Sequence, residues 1–203
     1  MNAKYKRTLI VIILLVAAFC MHAQFSLKGG FATGVITGPV KIQDIDNRFT
    51  EVIDGKSVNG IEAGLFLKVR IGPVFIRPMA MYGFRYGNVS YVSNSDGVEE
   101  TASFTMHKAE VPLMVGVRLL RVLFIEGGPA YNYILSATDQ FGNNKVQVTP
   151  GAIGYRIGAG LALGPIIFSA HYGGASYNYS GTRATFKEPY KLIFGLAIVL
   201  GRA

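Results

Sequence analysis

The sequence predicts an all-β chain: one eight-stranded antiparallel up-and-down β-barrel of the transmembrane type. Three observations lead there. Apolar and polar residues alternate over runs of about eleven residues, very short connections take turns with long polar ones, and no apolar stretch beyond the first two dozen residues approaches the length of a helical span. A helix needs ~20 apolar residues to cross a bilayer, whereas a tilted strand needs only ~9–11. In hydrocarbon every backbone N–H and C=O must find a partner within the protein, which leaves only helices or closed sheets.

The N-terminal segment stands apart from this pattern. Lys4, Lys6 and Arg7 precede an unbroken apolar run from Leu9 to Phe19, and Met21-His22-Ala23 ends on a small residue before Gln24. That is the pattern of a cleaved secretory signal over residues 1–23. The apolar run of 11 residues is too short for a retained span. Cys20 as a lipid-modified residue is disfavoured by the bulky Phe19 before it. Cleavage after Ala23 leaves one domain, residues 24–203, with a modest basic surplus and no cysteine. A disulfide framework, a thiolate metal site and a thiol nucleophile are thereby excluded. The positive charges are scattered, so nucleic acid is not an expected partner.

Eight strands are predicted at 24–34, 58–71, 74–90, 102–119, 122–137, 149–163, 166–179 and 189–201. The clearest sets Ile61, Ala63, Leu65, Leu67, Val69 and Ile71 on one face against Glu62, Lys68 and Arg70 on the other. Period-two alternation of this kind is strand behaviour. Ile153, Tyr155, Ile157, Ala159, Leu161 and Leu163 repeat it, with Gly154, Arg156, Gly158, Gly160 and Ala162 opposite. Leu192, Phe194, Leu196, Ile198 and Leu200 repeat it again, opposite Lys191, Gly195 and Ala197. Small residues on the second face suit the narrow interior of an eight-stranded barrel.

The connections carry the topology. Gly72-Pro73, Leu120-Arg121 and Gly164-Pro165 make short turns, while 35–57, 91–101, 138–148 and 180–188 are long and polar, with turn residues such as Asp54-Gly55, Asn94-Ser95-Asp96-Gly97 and Phe141-Gly142-Asn143-Asn144. Outer-membrane barrels have short periplasmic turns and long outer loops. Parity then places both mature termini in the periplasm. Tyr82, Tyr86, Tyr131, Tyr133, Tyr155, Tyr172 and Tyr190 fall near strand ends or on outward faces, where amphipathic rings suit the headgroup level.

Glu110-Val111-Pro112-Leu113-Met114-Val115-Gly116-Val117-Arg118, followed by Phe124-Ile125-Glu126-Gly127-Gly128-Pro129-Ala130-Tyr131, resembles the PorT-like family of outer-membrane β-barrel proteins. Ile157-Gly158-Ala159-Gly160-Leu161 and Phe168-Ser169-Ala170-His171-Tyr172 also look like family positions. The resemblance implies an outer-membrane barrel without an assigned activity. One branch of that family assists a secretion system, a role not carried over to this chain. A departure is the ending Leu200-Gly201-Arg202-Ala203, where such barrels commonly close on an aromatic residue.

With the apolar faces toward lipid, Glu62, Lys68, Arg70, Arg77, Arg85, Glu110, Arg118, Glu126 and Arg156 enter the lumen as a charge network. Charges taken from water must be paired, so the expected interior is a plug of carboxylate–guanidinium pairs. The expected function is non-enzymatic, a structural or interaction role in which the barrel meets outer-membrane lipid and its long loops meet an envelope protein. Two alternatives remain: a narrow anion-preferring channel, favoured by the basic excess, and a soluble periplasmic barrel that turns the apolar face inward around a ligand. The charged content of 16% is low for a soluble surface, which runs about 25–35%.

No catalytic, cofactor or metal site is expected. His107, His171, Glu99, Glu100, Asp139, Ser90 and Ser103 are the available catalytic types, and no spacing ties them into a nucleophile–base pair. Two histidines far apart and no cysteine give no ligand cluster. Gly158-Ala159-Gly160 lies mid-strand with no helix after it, which rejects a dinucleotide loop.

Overall fold

The computed structural model describes residues 25–39, 41–44, 49–51, 58–93, 99–139, 151–176 and 184–200. The expected signal segment, the turn residues quoted from the long loops and the last three residues lie outside them. Ten strands are present: β1 (Phe25–Gly38), β2 (Lys41–Asp44), β3 (Phe49–Glu51), β4 (Val58–Ile71), β5 (Val74–Ser93), β6 (Glu99–Arg118), β7 (Leu123–Asp139), β8 (Ala152–Leu163), β9 (Ile166–Ser176) and β10 (Ala184–Leu200). No helix occurs among the described residues.

The eight long strands, β1 and β4 to β10, each pair antiparallel with the next in sequence. The ladder from Gly29↔Leu200 to Thr37↔Leu192 joins β1 to β10 and closes the sheet. Closure removes the unpaired edge that an open sheet would present. Gly72 and Gly164 have φ of 61° and 63°, inside the two-residue hairpins Ile71↔Val74 and Leu163↔Ile166. A left-handed glycine at the first hairpin position matches the twist of the flanking strands. The carbonyls of Pro73 and Pro165 accept from Arg118 N at 2.8 Å and Val199 N at 2.7 Å, tying each turn to a neighbouring strand.

Several strands run past their predicted ends. β1 continues to Gly38 instead of stopping at 34, β5 reaches Ser93, β6 begins at Glu99, β7 reaches Asp139 and β10 starts at Ala184 instead of 189. The connection 35–57, expected to be loop, contributes β2 against β10 and β3 against β5. A polar composition does not end a strand whose backbone still has a ladder partner, as Val92↔Glu99 has at the top of β5 and β6. β8 begins at Ala152, short of the predicted 149.

The barrel is apolar outside. Leu65, Leu67, Ile71, Val115, Ile125, Ile157, Leu161, Phe194 and Ile198 are all exposed. From Ile61 to Ile71 this face spans about ten residue rises of ~3.3 Å, which at a tilt of ~40° is roughly 25 Å along the barrel axis. That is the height of an outer-membrane apolar band. The soluble alternative required these side chains to line the lumen, and they do not.

Inside, glycine and alanine are joined by large apolar residues that the expectation of a small-residue lining did not include. Phe66, Phe75 and Phe124 are buried beside Met79, Met81 and Met114. Each phenylalanine stands directly opposite a glycine on the next strand: Gly30↔Phe66, Phe75↔Gly116 and Phe124↔Gly160. The ring tips occupy the space a Cβ would take. A Cβ at Gly116 would come 2.2 Å from Phe75 Cζ, and one at Gly160 would come 2.4 Å from both Phe124 Cζ and the Phe168 carbonyl oxygen. Phe75 and Phe124 meet edge to face at 5.7 Å. Gly160→Val should therefore lower stability by about 1–3 kcal/mol or more through overpacking, read as a shift in the urea midpoint of the folded barrel. Adding Phe124→Leu should recover part of that loss.

Candidate functional site

Above the phenylalanines the lumen is occupied by charge. Glu62, Arg77, Arg85, Glu110, Glu126 and Arg156 all point inward and are buried, as is Lys68 beside the phenylalanines. Strand geometry puts them there, because on β4 to β8 every second residue faces the axis. Arg156 Nη2 donates to Glu62 at 2.8 and 3.0 Å and lies 3.3 Å from Glu110 Oε1. Arg77 donates to Glu126, and His171 Nε2 lies 2.7 Å from the same carboxylate oxygen. Arg85 Nη1 donates to Glu188 at 2.5 Å, while its Nη2 donates to the carbonyls of Gly38 at 2.7 Å and Val58 at 2.6 Å. Those two carbonyls belong to β1 and β4 at the long-loop end, so the guanidinium ties two strand ends to β10.

Five buried members were not among the predicted luminal residues: Lys108, Asn132, His171, Glu188 and Lys191. Lys108 donates to Glu188 at 3.0 and 3.3 Å and lies 3.5 Å from Glu110. Lys191 donates to Glu110. Lys108 shares the parity of Glu110 and Arg118 on one strand, and His171 shares that of Ile167, so the signal for both was present in the alternation. Glu188 has no such signal. A register shift between Glu188 and Lys191 leaves Pro189 and Tyr190 both exposed, so residues three apart both face inward. Strict alternation from Lys191 would have turned Glu188 outward; a bulge places an extra residue in one strand and resets the parity.

Two predicted members stand apart. Arg70 and Arg118 are half-buried at the short-turn mouth, outside the ion-paired cluster. Lys68 is the buried link between the two regions, its Nζ 3.9 Å from the centroid of Phe75, a cation–π contact. Arg77 lies between the charged and aromatic layers, 5.7 Å from Phe66 and 5.8 Å from Phe124. Among the described residues the lumen thus holds six buried lysines and arginines, Lys68 included, against four glutamates. A cavity of about 10 Å³ among Glu62, Arg77, Arg156, Ser169 and His171 leaves room for about one water molecule.

The catalytic types are not brought together. His171 is inside the barrel on Glu126, whereas His107 is on the outer face, its Nδ1 2.6 Å from the Tyr82 hydroxyl and its ring 4.9 Å from that of Phe84. Ser103 is exposed, and the side chains of Ser90, Glu99, Glu100 and Asp139 lie outside those described. Among the described residues no His, Cys, Asp and Glu group is arranged to hold a metal. His107 belongs instead to a band of outward aromatics near the long-loop end. Tyr82 and Tyr86 flank Phe84, and Tyr155, Tyr172 and Tyr190 follow one another at 6.1 and 6.2 Å across three strands. Aromatic girdles of this kind sit at membrane interfaces.

Comparison with known proteins agrees with this geometry. Neisserial surface protein A superposes with a TM-score of 0.52 at 13% identity, covering 86% of this chain and 98% of its own. The outer membrane protein OprG from Pseudomonas aeruginosa superposes at 0.54 with 13% identity, covering 88% and 96%. No curated protein matches the chain. At such identities the likeness is one of fold. The outer membrane protein beta-barrel domain family matches residues 22–183, and the chain, a closed eight-stranded barrel with an apolar exterior, belongs to that family.

Proposed function

We propose that this chain is a non-enzymatic outer-membrane barrel with a side-chain-filled lumen, acting in a structural or interaction role through its long outer loops. One observation carries the reading: Glu62, Glu110, Glu126 and Glu188 hold their cationic partners across the interior, with the three phenylalanines below them. A lumen closed by both layers leaves the rim and loops as the surfaces on which a partner can act. An export signal over residues 1–23, periplasmic termini and contact with outer-membrane lipid complete the proposal. The PorT-like assignment is supported by the places its motifs occupy. Glu110 and Glu126 are two of the four buried carboxylates among the described residues, and Pro112 pairs across the ladder with Ala130, just after Pro129.

The second reading is a narrow anion-preferring channel, favoured by the excess of buried cations over carboxylates. Planar-bilayer recording of the purified barrel separates the two. We expect no stable conductance steps, because each luminal carboxylate bridges residues from different strands. Steady anion-selective steps would overturn the filled lumen and establish the channel.

A further inference from the structure

The short-turn mouth of the lumen contains a second charged region that differs from the ion-paired cluster in having no acid among the described residues. Lys28, Lys68, Arg70 and Arg118 line a cavity of about 60 Å³ together with Ser26, Ala162, Gly164, Ile167 and Val199. The β1–β4 register sets Lys28 directly opposite Lys68 and Ser26 opposite Arg70. Like charges facing each other across a ladder are destabilising. Lys68 feels Arg70, Arg77 and Arg118 electrostatically, and the carboxylate that acts on it, Glu126, is already committed to Arg77 and His171. Among the described residues none forms an ion pair with any of these four cations, and Arg70 Nε is buried without an acceptor.

Lys68 is 7% exposed, so its charge is nearly removed from water, with the faces of Phe75 and Phe124 against it. Two arginine forks and two ammonium groups around a small recess form a donor set suited to a tetrahedral oxyanion, since guanidinium presents parallel N–H donors and ammonium a compact charge. Phe75 and Phe124, against Lys68 on the inner side, close the recess toward the charged cluster. An anion entering from the mouth would therefore stop there.

We propose that this vestibule is a binding site for a phosphate group, carried either by a lipid headgroup of the adjoining leaflet or by a free phosphate. The site does not depend on the outer loops or on the conductance of the lumen. The probe is inorganic phosphate, titrated calorimetrically into the folded barrel in dodecyl maltoside, which carries no phosphate of its own. Saturable binding is expected, weakened at least about tenfold in Arg70→Gln/Arg118→Gln, the change expected from losing charge-assisted hydrogen bonds. Arg121→Gln, in the turn that follows Arg118 but not lining the cavity, should bind as the parent does.

Heat-modifiable gel mobility will confirm that the variants fold. Lys28→Gln provides an independent route: it relieves the Lys28–Lys68 opposition, so it should raise the unfolding midpoint without phosphate and shrink the rise that phosphate produces. Phosphatidylglycerol added to the micelles distinguishes the sources. Competition with inorganic phosphate assigns the site to a headgroup, and phosphate binding indifferent to the lipid assigns it to a soluble oxyanion. Absence of saturable phosphate binding in the parent, or equal affinity in the double arginine variant, would overturn the proposal.

Discussion

Glu110→Gln should destabilise the barrel by about 3–5 kcal/mol, the usual cost of removing one partner from a buried ionic cluster. Glu110 is contacted by three cations at once: Lys191, Arg156 at 3.3 Å and Lys108 at 3.5 Å. Arg156 keeps Glu62 and Lys108 keeps Glu188, whereas Lys191 loses the carboxylate that it contacts directly. Neutralising Glu110 therefore leaves a buried ammonium that shares Glu188 with Arg85 and Lys108, and it increases an existing positive excess. Glu62→Gln should cost less, because Arg156 retains Glu110. Urea unfolding in phospholipid vesicles measures both. A loss under about 1 kcal/mol for Glu110→Gln would mean that water reaches the cluster, since exposed pairs contribute only about that much.

Leu67→Arg is the second large effect and tests the opposite face. Leu67 is 54% exposed and points outward midway between the turn-side Ile71 and Ala63, the cross-strand partner of girdle residue Tyr82. At the bilayer midplane a lipid-facing arginine costs about 2–4 kcal/mol. Facing water instead, the same substitution would stay within about 0.5 kcal/mol. Asn59→Arg, exposed at the long-loop end of the same strand, is the matched control and should stay near the parent. Equal, small effects at both positions would remove the exterior from lipid and reopen the soluble reading.

Much of the architecture could be read from the chain because alternation is a local property. A run such as Ile61 to Ile71 can satisfy one apolar and one polar surroundings only as a strand, and Gly72-Pro73 and Gly164-Pro165 can join strands only tightly. The strand tops were less legible. β5, β6, β7 and β10 extend beyond the alternating region because neighbouring backbones continue to pair, and pairing depends on residues distant in sequence. Candidate luminal residues were found where parity was unbroken, as at Glu62, Arg77 and Glu126. Glu188 was missed because it fell in the expected loop 180–188, and even a strand extended back from Lys191 would have turned it outward, since a bulge at Pro189 and Tyr190 changes the parity.

By itself the sequence determined that the chain forms strands, how many cross and which side chains share a face, since these follow from period, length and turn chemistry. It did not determine which face is the interior, because a barrel turned inside out has the same alternation. Closure of β1 on β10 decided that, with the small residues and the Gly–Phe pairs on the inside. Tertiary structure also decided the charge partners. Arg85 and Glu188 lie 103 positions apart and meet only when the sheet curls fully round, while Lys28 and Lys68, directly opposite each other on β1 and β4, are left without an acid among the described residues. Charge type is written in the chain, but whether a charge finds its opposite depends on the height and azimuth that barrel closure assigns to it.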